Sequence, residues 1–253
     1  MTHTTKTTQT TQTTQITQTT QTTRMHKYGL IGRYLGHSFS AEYFRNKIAQ
    51  AGADAVYVPL EIATIDALPT DWDGYSVTIP YKEAILPFLS DLDETARAIG
   101  AVNVVKGRKG YNTDWIGFCE SIRPLLRAGD QKALVLGTGG AAKAVLYGLQ
   151  QLGITAETVS RTRGLRYRDL RAEDMHHWQL IVNCTPVGMW PDTDVCPAIP
   201  YEGLTTDHLL FDCIYNPEET LFLRHGREHG ARVKNGMEML LRQADEAWKI
   251  WNS

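Results

Sequence analysis

No stretch of the 253 residues approaches the ~18 consecutive apolar residues that a membrane-crossing helix needs. Excess charge is missing too. The 26 basic and 28 acidic residues leave a formal charge of −2, so neither nucleic acid nor a membrane surface is expected as a partner. Cysteine is scarce and scattered: Cys119, Cys184, Cys196 and Cys213 show no C-x-x-C spacing and no histidine at ligand spacing. That pattern points away from a disulfide framework or a metal site and towards free thiols of a reducing, cytoplasmic compartment. The N-terminus lacks the apolar h-region of a secretory signal and the arginine and serine of a transit peptide. Residues 2 to 23 are instead threonine and glutamine in a near-repeating pattern, with Ile16 the only sizeable apolar side chain. Such a segment cannot bury enough surface to offset its ordering entropy, so residues 1–24 are expected to be a disordered tail, a start-site extension or an appended sequence, with folded sequence beginning at Met25. The chain as a whole is 42% hydrophobic and 21% charged, an ordinary globular composition, and its length suits two domains.

From Lys27 onward short apolar runs alternate with helical stretches, which predicts an α/β fold with parallel sheets. Strands are expected at Tyr28 to Ile31, Ala55 to Pro59, Gly74 to Ile79 and Ala101 to Lys106, with a helix from Ser40 to Ala51. A helix from Trp115 to Leu126 leads into a second half, where strands are expected at Lys132 to Leu136, Thr155 to Ser160, Gln179 to Asn183 and His208 to Asp212. Ala141 to Leu152 has helical periodicity and ends at Gly153. The last helix, from Met237 to Trp251, carries Met237, Leu240, Leu241, Ala244, Ala247, Trp248 and Trp251 on one stripe and should pack as core.

Two motifs make sense beside a bound small molecule. Lys82 closes Ser76-Val77-Thr78-Ile79-Pro80-Tyr81-Lys82, and Asp114 closes Gly110-Tyr111-Asn112-Thr113-Asp114. A lysine that donates a proton to a developing alkoxide needs an anionic neighbour to orient it, and a carboxylate suits that task. The bland readings are a surface lysine after a turn proline and an aspartate N-cap. A dinucleotide-type turn follows: Gly137-Thr138-Gly139-Gly140-Ala141-Ala142 fits G-x-G-x-x-G/A, with an apolar strand before it and a helix after it. Gly137 permits the tight turn, Gly139 lets backbone approach a pyrophosphate, Ala142 lets the helix sit close to the sheet, and the helix N-terminus faces the phosphate charge. The next strand ends in Ser160-Arg161-Thr162-Arg163 rather than in an acid, which favours a ribose 2′-phosphate and hence NADP over NAD. A solvated basic loop is the alternative. In His37-Ser38-Phe39-Ser40 the two hydroxyls suit a carboxylate, although Ser40 also suits a helix N-cap.

The order of these motifs over residues 27 to 251 resembles the shikimate dehydrogenase family. The resemblance rests on the segments above together with Ala101-Val102-Asn103, Asn112-Thr113-Asp114-x-x-Gly117, Asn183-x-Thr185-Pro186-x-Gly188-Met189, Asp212-x-x-Tyr215-x-Pro217-x-x-Thr220 and Asn235-Gly236-x-x-Met239-Leu240-x-x-Gln243. It implies a two-domain α/β protein: a substrate domain over 25–113, a Rossmann-like NADP-binding domain over 114–234, and a C-terminal helix over 235–253 that completes the substrate domain, with the active site in the cleft. It implies that Lys82 and Asp114 are catalytic, that Ser38 and Ser40 hold a substrate carboxylate near Tyr215, and that Thr78, Lys82, Asn103, Asp114 and Gln243 surround ring hydroxyls. For NADP(H) it implies Gly137, Thr138, Gly139, Gly140 and Ala141 at the phosphates, Ser160, Arg161 and Thr162 at the ribose, and Cys213 with Gly236 along the nicotinamide. The chain departs from the family pattern at Tyr34-Leu35, Ala41, Val104 and Ser160, and its short stretch from Arg163 to Trp178 is expected to trim one βα unit.

The expected activity is reversible NADPH-dependent reduction of 3-dehydroshikimate to shikimate, in aromatic amino acid and chorismate biosynthesis, by a monomer or homodimer. The alternatives are a quinate/shikimate dehydrogenase of broader substrate or NAD specificity, a non-catalytic NADP-binding regulator, and a dehydrogenase of the methylene-tetrahydrofolate type. Retention of Lys82 and Asp114 argues against the regulator. The paired serines with Asn103 and Gln243 argue against the last.

Overall fold

The computed structural model describes Met1, residues 24–36 and residues 39–253. The expected tail and the His37-Ser38 pair therefore lie outside the described residues, apart from Met1 and Arg24. Two six-stranded sheets follow one another along the chain.

The first half contains β1 (His26–Gly32), α1 (Phe39–Ala51), β2 (Ala55–Glu61), β3 (Gly74–Val77), α2 (Tyr81–Ala84), β4 (Asp91–Leu92), α3 (Glu94–Ile99), β5 (Val104–Lys106) and β6 (Lys109–Tyr111). Its sheet runs β2-β1-β3-β5-β6-β4. Strand β1 sits between two parallel neighbours, and the Tyr28-to-Gly32 segment is buried throughout, as a central strand covered on both faces must be. The expectation of a wholly parallel sheet fails here. Strand β5 is antiparallel to β3, and β5 and β6 form a hairpin closed by Gly107 and Arg108. Gly107 takes φ +58°, the left-handed position that a two-residue hairpin loop requires. Residues 101–103, expected as strand, instead lead into β5 as irregular chain, with the Val102 amide bonded to the Lys82 carbonyl at 2.8 Å.

The second half begins with α4 (Asp114–Ile122), which stops earlier than expected because Arg123-Pro124-Leu125 tightens into a 3-10 turn. It continues with β7 (Lys132–Leu136), α5 (Gly140–Gln151), β8 (Thr155–Ser160), β9 (Leu165–Arg166), β10 (Leu180–Asn183), β11 (Leu209–Asp212), α6 (Leu221–Glu228), β12 (Arg232–Lys234) and α7 (Met237–Asn252). This sheet is parallel throughout, in the order β12-β11-β10-β7-β8-β9. Between β8 and β10 only 3-10 turns and the two-residue β9, paired along β8, intervene, and no α-helix forms there. The strand order reverses beside β7, and its crevice at the carboxyl ends of β7 and β10 is where a doubly wound sheet receives ligands.

Helix α7 joins the two halves. Met239 packs with Phe118, Val145 and Phe211 in the second core, while Ala244, Ala247 and Trp251 pack with Tyr28, Phe44 and Tyr57 in the first. The Trp251 ring stacks on Tyr28 at 4.6 Å, and its indole nitrogen donates to the Val105 carbonyl at 2.9 Å. Among the described residues no helix is long and apolar enough to cross a membrane.

Candidate active site

Lys82 is the second residue of α2, which Pro80 precedes, and its carbonyl is held by Val102. Asp114 opens α4, yet its carboxylate does not cap that helix, and Thr113 occupies the N-cap position. The Asp114 side chain turns into the crevice instead. The Lys82 ammonium (Nζ) donates to Asp114 Oδ2 at 2.5 Å, and the two side chains are only 17% and 7% exposed. The other carboxylate oxygen, Oδ1, accepts the Asn103 amide at 2.9 Å. That amide nitrogen also lies 2.9 Å from Thr113 Oγ1 and 3.1 Å from Gln243 Oε1, so three acceptors crowd its two protons.

The backbone around this cluster is fixed by side chains. Asn112 donates to the Ala101 carbonyl at 2.9 Å and accepts from the Asp114 amide at 3.1 Å, while Asn103 Oδ1 accepts from the Thr113 amide at 2.7 Å. Gln243 reaches Asn103 from α7 because Gly117 lets α4 and α7 nearly touch. A β-carbon on Gly117 would meet the Met239 carbonyl oxygen at 2.5 Å. The structure thus brings Lys82, Asn103, Asp114 and Gln243 together.

The other candidate substrate residues are placed by their own elements. Thr78 follows β3, half-buried, with its amide bonded to the Ile31 carbonyl at 2.9 Å. Ser40 lies inside the first turn of α1 rather than ahead of it, and Ser38 lies outside the described residues. Tyr215 follows β11 and approaches Phe39 at 6.2 Å between ring centres, bringing the second half against the start of α1. Burial raises the Tyr215 phenol above its usual range.

The cofactor turn sits at the strand reversal. Gly137 has φ +111°, and a β-carbon there would meet Thr185 at 3.1 Å, so only glycine suits this turn. A β-carbon on Gly139 would meet nothing within 4 Å, which leaves room at the N-terminus of α5 for a pyrophosphate. Thr138 is exposed, Ala141 half-buried and Ala142 fully buried against the sheet. Gly140 faces across the crevice, where a β-carbon would meet Lys82 Cβ at 3.0 Å. Gly236 is pressed on Cys213, whose carbonyl oxygen a β-carbon would meet at 2.3 Å. The residues present therefore fit a dinucleotide.

In the loop after β8, the Ser160 hydroxyl donates to the Arg163 carbonyl at 2.5 Å and accepts from the Arg163 amide at 2.8 Å. It shapes the loop that presents Arg161 and Thr162. Both are exposed, and Arg161 and Arg163 have no carboxylate partner among the described residues.

Asn112, Thr113 and Gly117 have no role assigned from the sequence, although all three stand in the Asn112-Thr113-Asp114-x-x-Gly117 segment. Asp212, which the sequence marks only as part of its motif, is buried at the end of β11. Burial raises this carboxyl to about 6 against the lowering effect of its bonds from Thr220, Ile214 and Asn183. Beside it the Cys184 and Cys213 sulfurs are 3.8 Å apart, and burial, followed by the Cys213 contact, holds the Cys184 thiol well above its usual range.

The sequence profile described as shikimate dehydrogenase substrate binding domain matches residues 30–105. The shikimate dehydrogenase (NADP(+)) of Caldicellulosiruptor saccharolyticus is 36% identical to the chain, covering 90% of this chain and 92% of that protein. The crystal structure of shikimate dehydrogenase from Aquifex aeolicus matches with a TM-score of 0.80 at 37% identity, over 90% of this chain and 92% of that one. Shikimate 5-dehydrogenase from Thermus thermophilus, solved in complex with NADP(H) and shikimate, matches with a TM-score of 0.79 at 31% identity, over 90% and 93%.

Proposed function

The chain belongs to the shikimate dehydrogenase family, and from that premise we propose which of its side chains carry the reaction. It is an oxidoreductase that reversibly reduces 3-dehydroshikimate to shikimate with NADPH, a step towards chorismate and the aromatic amino acids. The bound dinucleotide supplies the hydride. Negative charge then grows on the ketone oxygen, and the Lys82 ammonium stabilises it and donates the proton. Asp114 orients Lys82 through one carboxylate oxygen while Asn103 holds the other. Asn103, Gln243 and Thr78 engage the ring hydroxyls, and Ser38 and Ser40 hold the substrate carboxylate beside Tyr215. Gly137, Thr138, Gly139, Gly140 and Ala141 cradle the pyrophosphate, Ser160, Arg161 and Thr162 receive the 2′-phosphate, and Cys213 with Gly236 back the nicotinamide. The four free thiols fit a reducing, cytoplasmic compartment and the near-neutral formal charge fits a chain without a nucleic-acid or membrane partner, acting as a monomer or homodimer.

The observation that most supports these roles is the 2.5 Å contact between Lys82 and Asp114, in a crevice that the cofactor turn also faces. The test is NADPH formation from shikimate and NADP, followed by absorbance and repeated with quinate and with NAD. Lys82→Ala is expected to lower kcat on the order of a hundredfold, about 3 kcal/mol of transition-state stabilisation, and to leave the NADPH dissociation constant nearly unchanged. Near-normal turnover in this variant would remove Lys82 from the chemistry.

A further inference from the structure

Helix α5 has two working faces. Ala142, Val145 and Leu149 are fully buried in the core of the second half. Gly140, Lys143, Ala144 and Tyr147 recur at i, i+3, i+4 and i+7, which aligns them on a second stripe. Every residue of that stripe meets an element outside the parallel sheet. Gly140 lies against Lys82, where a β-carbon would come within 3.0 Å of the lysine's own. Lys143 Nζ donates to Glu83 Oε2 at 2.5 Å. Ala144 is buried with Ile99 and Ala101, and Tyr147 packs edge-on to Trp115 at 5.3 Å.

Lys143 is out of place by local rules. A cation in the first turn of a helix opposes the helix dipole, and α5 carries no acidic residue there to compensate. Its partner is instead Glu83, the residue next to Lys82 in the one-turn helix α2. With side chains 37% and 44% exposed, the pair contributes little to overall stability. The pair joins α5, which follows the glycine turn, to α2, which carries Lys82.

We infer that Glu83 and Lys143 are positioning residues, an ionic clasp across the crevice that sets the catalytic lysine against the cofactor turn. The inference rests on the assignment of Lys82 and of the α5 turn given above. Its test compares Glu83→Gln, Lys143→Met, the double variant and the charge-exchanged pair E83K/K143E in the full chain. The measurements are kcat with both substrates saturating, the NADPH dissociation constant from NADPH fluorescence, and the unfolding midpoint.

Each single variant should lower kcat by about threefold to tenfold, with the double no worse than either single, because one interaction is lost in all three. The NADPH dissociation constant should rise to the same small extent in both singles. The unfolding midpoint should stay in place, the salt dependence of kcat should weaken, and the exchanged pair should recover most of the rate. Unchanged kcat in both singles overturns the clasp. So does a rise in the NADPH dissociation constant confined to Lys143→Met, which would make Lys143 a phosphate contact instead. An unaltered chain that binds NADPH but does not oxidise shikimate would count against the functional reading, and the equal change in NADPH binding would still report on the clasp.

Discussion

The carboxylate of Asp212 is fully buried, and its bonds reach both loops at the carboxyl edge of the parallel sheet. Oδ1 accepts from Asn183 Nδ2 at 3.1 Å and from the Ile214 amide at 3.0 Å, while Oδ2 accepts from Thr220 Oγ1 at 2.7 Å. Asn183 in turn accepts from the Thr185 amide at 3.0 Å and from the Thr185 hydroxyl at 2.7 Å. One side chain thus ties the loop behind Gly137 to the loop that carries Tyr215. Burial outweighs these three bonds and lifts the carboxyl from 3.8 to about 6. The folded chain therefore binds a proton more tightly than the unfolded chain. The resulting stabilisation is complete below about pH 4 and is lost as pH rises through about 6, amounting to ~3 kcal/mol. Asp212→Asn titrates no carboxyl at this position. Measured by denaturant unfolding, the stability of the natural chain relative to this variant should fall between pH 4 and 6 by about that amount. Parallel stability profiles for the two proteins would mean that the carboxyl titrates normally.

One helix crossing brings Gln243 into the proposed substrate network. Helices α4 and α7 cross at Gly117 so tightly that an added β-carbon would meet the Met239 carbonyl oxygen at 2.5 Å and the Gln243 amide nitrogen at 3.0 Å. Both obstacles are backbone, so Gly117→Ala must push the helices apart, at about 1–3 kcal/mol of stability. Gln243 then withdraws from Asn103. The KM for shikimate should rise on the order of tenfold while NADPH binding holds, since uniform substrate contacts are lost and the cofactor turn is untouched. A variant with the natural KM would show that Gln243 does not need this crossing. The parallel sheet was legible in advance because β7, β10 and β11 are buried on both faces and read as unbroken apolar runs. The Lys82 and Asp114 motifs were legible because local chain chemistry, a proline turn and an asparagine turn, delivers each side chain. The β5–β6 hairpin was not: three-residue strands offer no alternation, and their pairing is set by β3 and by the left-handed turn at Gly107. The Glu83–Lys143 contact joins residues 60 apart, and only tertiary packing reveals it.

At the scale of the whole molecule the chain's end returns to its beginning. We propose that residues 25–113 with 235–253 form one folding unit and residues 114–234 the other. Trp251 supports this division, for it is 4% exposed, stacks on Tyr28, bonds to the Val105 carbonyl and fills the space over Gly74. Truncating it in Trp251→Ala removes a large buried ring and the indole bond to the Val105 oxygen, a loss of about 3–5 kcal/mol that falls wholly on the first unit. The second core, built around Phe118, Val135 and Phe211, keeps its contacts. Denaturant unfolding of this variant should therefore separate into two transitions, with NADPH fluorescence still reporting binding after the first and shikimate oxidation already gone. If activity, cofactor binding and secondary structure instead disappear together in one transition, the two sheets unfold as a single cooperative unit. The contacts of α4 and α7, which each touch both halves, would then outweigh the boundary between Thr113 and Asp114.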